Sequence, residues 1–482
     1  MQVDWAEKQW TADTTNSMRR WGFYAVLAFV FIRFSMVSEI LEFGLGLRAY
    51  LVMGLGPIAI LLMVLSGGAR RSMREKPSYF LAAYMGWLLI CAPFSVWKGG
   101  TFAVLKMAFL TEFSMYFMIA GLILTIEEIR KLVLTISLAV SVDLVALAVY
   151  GESSSGRLSM SFGTLQNPND LAIHLISTIP FVLLSIHLTS AFSVWRFLAL
   201  PTVLGALYVV LRTGSRMGLV SLAVTGVFLL LRASLKQRML VLATAVPAIA
   251  LALVLLPQLT LQRYVSIFSQ PQSVSSAEEL EELRKSQGSS EARFRLLEAS
   301  LQLTLENPLF GVGPGQFVVE DADRAKQEGR RAQWQVTHNT YTEISSEAGV
   351  PALAFLVAAI LCALYLLNRM LLQARGRPDQ TRLATMAFHV MLALFGFAVC
   401  SFFGSMAYRF YMPSLVAIGV ILVSAGRREL AAREVATDSG TGLAAPKWQP
   451  EASPEPVVVG PGPVKPKTTR GSGAKRISPL RH

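Results

Sequence analysis

The chain has 482 residues, of which 53% are hydrophobic and 16% charged, with a formal net charge of +13. That is more apolar surface than a soluble chain needs for its cores, so the surplus must face lipid and a soluble globular domain is excluded. The positive charge does not point to nucleic acid, because Lys and Arg stand in short clusters between apolar blocks and in the C-terminal tail, where they orient a membrane protein.

Apolar blocks of about 18 to 22 residues recur along the chain, the length a helix needs to cross the hydrocarbon core. They are continuous rather than alternating, so they read as helices and not as membrane strands. After a polar cytoplasmic segment at 1–20, the first block at 22–38 lacks a small-residue cleavage site and reads as a retained helix. Further spans fall at 45–65, 79–97, 103–124, 130–150, 170–189, 195–211, 216–231 and 239–256, and then at 349–368, 384–403 and 408–425. The expectation is an all-α polytopic membrane protein with about twelve transmembrane helices, nine in 21–256 and three in 349–425. With the N-terminus inside, Arg70, Arg71, Arg74, Lys76, Arg130, Lys131, Arg232, Arg369 and Arg382 face the cytoplasm, and both termini are cytoplasmic. Cys91, Cys362 and Cys400 lie within apolar blocks and form no metal or disulfide pattern.

One long connection remains, 257–348 between helices 9 and 10, and the parity of the spans places it on the outer face. Its stretch 273–290 is polar and reads as a mobile excursion. The stretch 291–306 reads as an amphipathic helix capped by Ser290, with Phe294, Leu297, Leu301 and Leu305 on one face. Asn307 and Pro308 end it, the run from Gly311 to Gly315 is a tight turn, and a second polar helix precedes His338. The basic tail at 426–482 is expected to be disordered and to lie on anionic lipid.

Few residues offer chemistry. LRTGSRMG, between helices 7 and 8, sets Arg212 and Arg216 around a flexible turn at a helix start, which suits a phosphate or diphosphate. Snorkelling arginines at span ends are the alternative, but positive charge on the outer face runs against the orientation rule. His338 is the one histidine placed in an aqueous outer region, and its ordinary pKa near 6.5 suits it to take a proton from a hydroxyl. A structural histidine is the competing reading. Asp143 and Glu112, deep in spans, serve either function or a hydrogen bond to a neighbouring helix. Arg157, Asn167 and Asn169 in the outer loop GRLSMSFGTLQNPND suit a sugar or phosphate, although NPND is also a helix start, and Arg293 opens the loop helix. No P-loop, dinucleotide fingerprint, zinc site or hydrolase elbow is present, and neither a metal nor a cofactor is expected.

Three stretches in order, LRTGSRMG, ARFRLLEASLQLTLENPLFGVGPGQF and THNTYTEISSEAGVPALAF, resemble the O-antigen ligase and O-antigen polymerase family of bacterial envelopes. The resemblance covers roughly 20–425 and implies about twelve helices, inside termini and a large helical periplasmic loop. It also implies a multi-pass protein of the bacterial inner membrane: a metal-independent inverting glycosyltransferase that moves a glycan from undecaprenyl diphosphate to an acceptor hydroxyl on lipopolysaccharide core (lipid A-core) or a growing polysaccharide. On that resemblance Arg212 and Arg216 match the diphosphate-binding arginines, His338 the histidine that activates or orients the acceptor, and Arg293 the arginine opening the loop helix. Arg157, Asn167 and Asn169 are a weaker match as substrate-binding residues. A polymerase of the same family is an alternative, and a transporter or flippase is the rival from another class.

Overall fold

A computed structural model describes residues 10–233, 254–265 and 277–438, with 235, 238, 239 and 243 between them. Most of the expected ninth span, 239–256, and the tail beyond 438 lie outside the described residues. Among the described residues seven helices are long and apolar enough to cross a membrane, or eight if a bent pair counts as one span. The bent pair is α1 (Ser17–Phe34) with α2 (Val37–Gly44), turned by 68° at Met36, whose φ is 48°. A shorter apolar helix, α3 (Leu51–Leu65), precedes α4 (Lys76–Cys91), α5 (Lys98–Leu122), α6 (Ile126–Tyr150), α7 (Pro168–His187), α8 (Val194–Arg212) and α9 (Arg216–Arg232). After the large loop come α13 (Thr340–Ala374), α14 (Thr381–Cys400) and α15 (Tyr411–Asp438).

Local signals set several helix starts. Thr125 and Glu128 form a reciprocal capping box on α6, and the side chains of Asn16, Asn167, Ser193, Ser215 and Asn339 each accept a backbone N–H in the following turn. Between α6 and α7 the fold departs from all-α: β1 (Gly151–Ser154) pairs antiparallel with β2 (Arg157–Met160). Ser155 and Gly156 both have positive φ, the two-residue turn that matches strand twist.

Polar contacts sort the helix ends into two sets. At one end Arg19 bonds Glu128 and the Leu122 carbonyl, Arg71 bonds Asp13 and the Gly121 carbonyl, Arg427 pairs with Glu75, and Arg382 with Glu127. At the other end Arg157 reaches Thr213, Thr260 reaches Gly156, Tyr264 reaches Leu211, and Val96 bonds Val312. The described parts of the loop, 257–265 and 277–348, therefore sit at the end opposite Asp13, Arg71 and Arg427.

Within that loop, α10 (Gln258–Val265) is followed by α11 (Ala277–Glu306) and α12 (Phe317–Gln327). The helix runs unbroken from Ala277, so Ser290 caps nothing, and 277–290 is the first part of α11 rather than a separate excursion. Its packing face is also not the expected one. Leu296, Ser300 and Leu303 are buried and form a small core with Val312 and Phe317, whereas Phe294 is 73% and Leu305 81% exposed. The two sets sit on different sides of the same helix, and each fully buried side chain is worth about 1.5–3 kcal/mol.

The glycine turn docks this loop on the start of α13. Val312 and Gly313 donate to the carbonyls of Ser346 and Glu347, and the Glu347 carboxylate accepts from the N–H groups of Gly315 and Phe317 and from the Tyr408 hydroxyl. Gly313 (φ 110°) lies so close to Ser95 that a Cβ would stand 2.1 Å from its Oγ. Gly349 (φ 78°) bends α13 and presses on the Leu309 carbonyl, 2.0 Å from where a Cβ would be.

Candidate functional site

The turn Thr213–Gly214–Ser215 is short because α8 ends at Arg212 and Ser215 at once caps α9. It holds Arg157 in place: the Arg157 Nε donates to the Thr213 carbonyl at 3.1 Å and its Nη2 to Asn169 Oδ1 at 2.8 Å. The Ser215 hydroxyl donates to the same Asn169 oxygen at 2.8 Å, and Asn167 orients Asn169 by accepting its N–H. The side chains of the hairpin, the α7 start and the α8–α9 turn are thereby locked together.

Around this frame gather arginines from four separate segments. Arg216 opens α9 and its Nε donates to the carbonyl of Arg263 on α10, at 3.3 Å. Burial pulls the Arg157 guanidinium down to about 10, helped by the charges of Arg263, Arg293 and Arg216, with Tyr264 opposing. Burial likewise lowers Arg293, with Arg216 adding to it, and lowers Arg263, again with Arg216. Four guanidiniums thus act on one another at one end of the bundle. Arg212 ends α8 with its Nη1 buried and without a hydrogen-bond partner among the described residues.

His338 stands beside this cluster. Burial lowers its imidazole pKa below the ordinary value and the charge of Arg293 lowers it further, so the ring is neutral at pH 7. Its backbone has φ 55°, a left-handed conformation uncommon outside glycine, fixed by its N–H donating to Ser405 Oγ at 3.1 Å. Thr337 shares a hydrogen bond with the same Ser405 hydroxyl, and Asn339 caps α13 immediately after. Among the described residues no hydrogen bond engages the His338 ring.

The structure therefore brings Arg157, Asn169, Arg216, Arg293 and His338 to one region. Arg263 and Tyr264 belong to it too, and the sequence reading passed over both. The one trace of Arg263 in the sequence is a single basic residue close after a span on the face expected to be poor in positive charge, outside any motif, and Tyr264 has none. Asp143 and Glu112 lie elsewhere. Asp143 accepts from or donates to His174 Nε2 at 3.0 Å, and the other ring nitrogen meets the Tyr411 hydroxyl, which is the neighbouring-helix hydrogen bond rather than a part of the cluster. Glu112 sits in a π-helical turn of α5 and pairs with Arg33 at 2.6 Å while accepting the N–H of Phe410.

Arg157, Arg216, Arg263 and Arg293 are half-buried, and guanidiniums brought together in such a place favour a bound anion. Guanidiniums present paired N–H donors suited to phosphate oxygens, and the start of α9 adds its positive end. A neutral imidazole next to such a set supplies a base close to an anion-binding floor.

Residues 201–357 match the family model described as O-antigen ligase, a stretch that holds Arg212, Arg216, Arg263, Arg293 and His338. No curated protein matches the sequence. The match supports the O-antigen ligase and polymerase family, whose members are membrane glycosyltransferase-like enzymes, and the apolar helices suggest an integral membrane protein.

Proposed function

We propose that this chain is an inverting glycosyltransferase that moves a glycan from undecaprenyl diphosphate to an acceptor hydroxyl, on lipopolysaccharide core or a growing polysaccharide. The observation that carries the reading is the mutual approach of Arg157, Arg216, Arg263 and Arg293 with His338 beside Arg293. The donor's diphosphate sits on the guanidiniums, with Arg212 at its edge. The acceptor oxygen attacks the anomeric carbon from the face opposite the diphosphate, the carbon–oxygen bond to phosphate breaks, and configuration inverts. His338 takes the proton that the acceptor hydroxyl loses. The leaving diphosphate gains negative charge as the bond breaks, and the fixed guanidiniums stabilise that charge without needing a metal ion.

In this reading the loop 257–348 lies in the periplasm of a bacterial inner-membrane protein, both termini are cytoplasmic, and twelve spans complete the bundle, the ninth within 239–256. Ligase and polymerase share this donor chemistry and differ in acceptor. A transporter would place its binding residues near the membrane centre. Asp143, its candidate there, bonds His174 and not the arginines.

The test is transfer by purified full-length protein in nanodiscs, supplied with lipid-linked glycan and acceptor. His338→Ala and Arg216→Ala should each slow transfer by about a hundredfold or more while leaving insertion and thermal unfolding unchanged, and a wild-type rate in either would sink the mechanism.

A further inference from the structure

We infer that the open cleft beside the arginine cluster is the subsite for the sugar joined directly to the diphosphate, and that it selects an uncharged pyranose. The inference rests on the donor reading above. The cleft has a volume of about 700 Å3 and is lined by Glu39, Phe43, Gln166, Asn167, Asp170 and Arg409. That volume falls within the roughly 300–1,000 Å3 of small-molecule sites.

Position is the first argument. Arg157 and Asn169 form one wall of the cleft, and the same two residues are tied to the Thr213–Ser215 turn that carries the diphosphate set. A group bonded to a phosphate on Arg157 and Arg216 has this cleft as its immediate neighbour. His338, approaching the cluster through Arg293, comes from a different element.

Chemistry is the second. Glu39 and Asp170 bring two negative charges and Arg157 and Arg409 two positive ones, so the lining is formally neutral. The charge of Arg409 acts on both carboxylates. Such a wall repels neither a neutral ligand nor its hydroxyls, whereas an acidic sugar would set its carboxylate against Glu39 and Asp170. Carboxylate, amide and guanidinium groups together accept from and donate to vicinal hydroxyls. Phe43, 59% exposed and leaning on Phe162 at a ring separation of 5.7 Å, offers the flat apolar surface that the C–H face of a pyranose needs.

Construction is the third. Gly163, at φ 78°, brings its backbone so close that a Cβ would stand 2.9 Å from Met36 Cε and 3.2 Å from Glu39 Cδ, and Thr164 hydrogen-bonds Glu39. The bend at Met36 that splits α1 from α2 is what turns Glu39 and Phe43 toward this loop. Glu39 is a charged residue on a segment of mostly apolar sequence, and it lines the cleft.

The experiment measures binding to full-length protein in nanodiscs. The probes are farnesyl diphosphate and farnesyl-diphosphate-linked glucose, galactose, N-acetylglucosamine, N-acetylgalactosamine and glucuronic acid. Wild type should bind at least one neutral-sugar probe about tenfold more tightly than the sugarless one, the worth of a charged hydrogen bond, and should gain nothing from the glucuronic acid. Glu39→Gln and Asp170→Asn should lose that gain and keep the sugarless affinity, which also reports that they fold. The inference is overturned if no neutral sugar improves binding, if the acidic sugar improves it as much, or if both variants retain the gain. Arg216→Ala separates the two readings: it should weaken all probes alike, and unchanged sugarless binding in that variant would overturn the diphosphate assignment itself.

Discussion

The two ends of the helix bundle use arginine in opposite ways. At the end that holds the N-terminal segment, Arg71 and Arg74 meet Asp13, Arg19 meets Glu128, and Arg427 meets Glu75. At the loop end the groups acting on Arg157 are chiefly other guanidiniums. The contrast holds even within one helix of the loop, since Arg295 pairs with Asp321 at 3.0 Å while Arg293, two residues before it, is shifted by burial and by Arg216. A compensated arginine ties elements together. Guanidiniums gathered in a half-buried place form a floor of paired N–H donors that suits phosphate oxygens.

This contrast can be broken by exchanging the effects of mutation between the ends. The largest effect should come from His338→Ala, which removes the base and should slow transfer by about 10²–10⁴-fold. Next, Glu347→Ala should leave the N–H groups of Gly315 and Phe317 and the Tyr408 hydroxyl without their acceptor. Each orphaned buried donor costs about 1–3 kcal/mol, so thermal unfolding in detergent should drop sharply. Arg71→Ala should show the structural pattern, losing about 1–3 kcal/mol of stability as the Gly121 and Ser66 carbonyls lose their donor while Asp13 keeps Arg74, and the folded fraction should keep its rate of transfer.

The acid side of the pH profile sharpens the comparison further. A neutral His338 is the active form, and burial together with Arg293 lowers its pKa, so transfer should fall only as pH drops below the ordinary histidine value near 6.5. Arg293→Gln removes the neighbouring charge and should move that limb to higher pH. An unmoved limb would show that Arg293 does not act on the base. The smallest effect expected is from chelation: with the guanidiniums carrying the leaving group's charge, an excess of EDTA should leave the rate as it is.

Much of the frame was legible in the sequence because a membrane span writes its length and apolarity into consecutive residues. The helices from Lys76 to Arg212 and from Thr340 to Cys400 lie where the apolar blocks predict. The faces of the loop helix were not legible. Phe294, Leu301 and Leu305 recur at helical spacing, but Leu296, Ser300 and Leu303 do so as well, and only the docking of the glycine turn decides which side is covered. The hairpin at Gly151–Met160 escaped because its strands are four residues long and mostly polar. In the site, Arg216, Arg293 and His338 stood out through motif order. Arg263 did not, since a single arginine in TLQRY carries no pattern until α10 folds back on the Thr213–Ser215 turn.

Arg263 therefore offers the most direct test, as a residue that no motif nominated. Glycan transfer from a lipid-linked donor should be measured with full-length wild type and Arg263→Ala in nanodiscs, alongside thermal unfolding. The expected result is a rate lower by about 10²–10³-fold, the loss typical of one fixed donor to a developing anion, with unfolding unchanged. A rate equal to wild type would contradict the assignment of the loop-side arginines to the diphosphate.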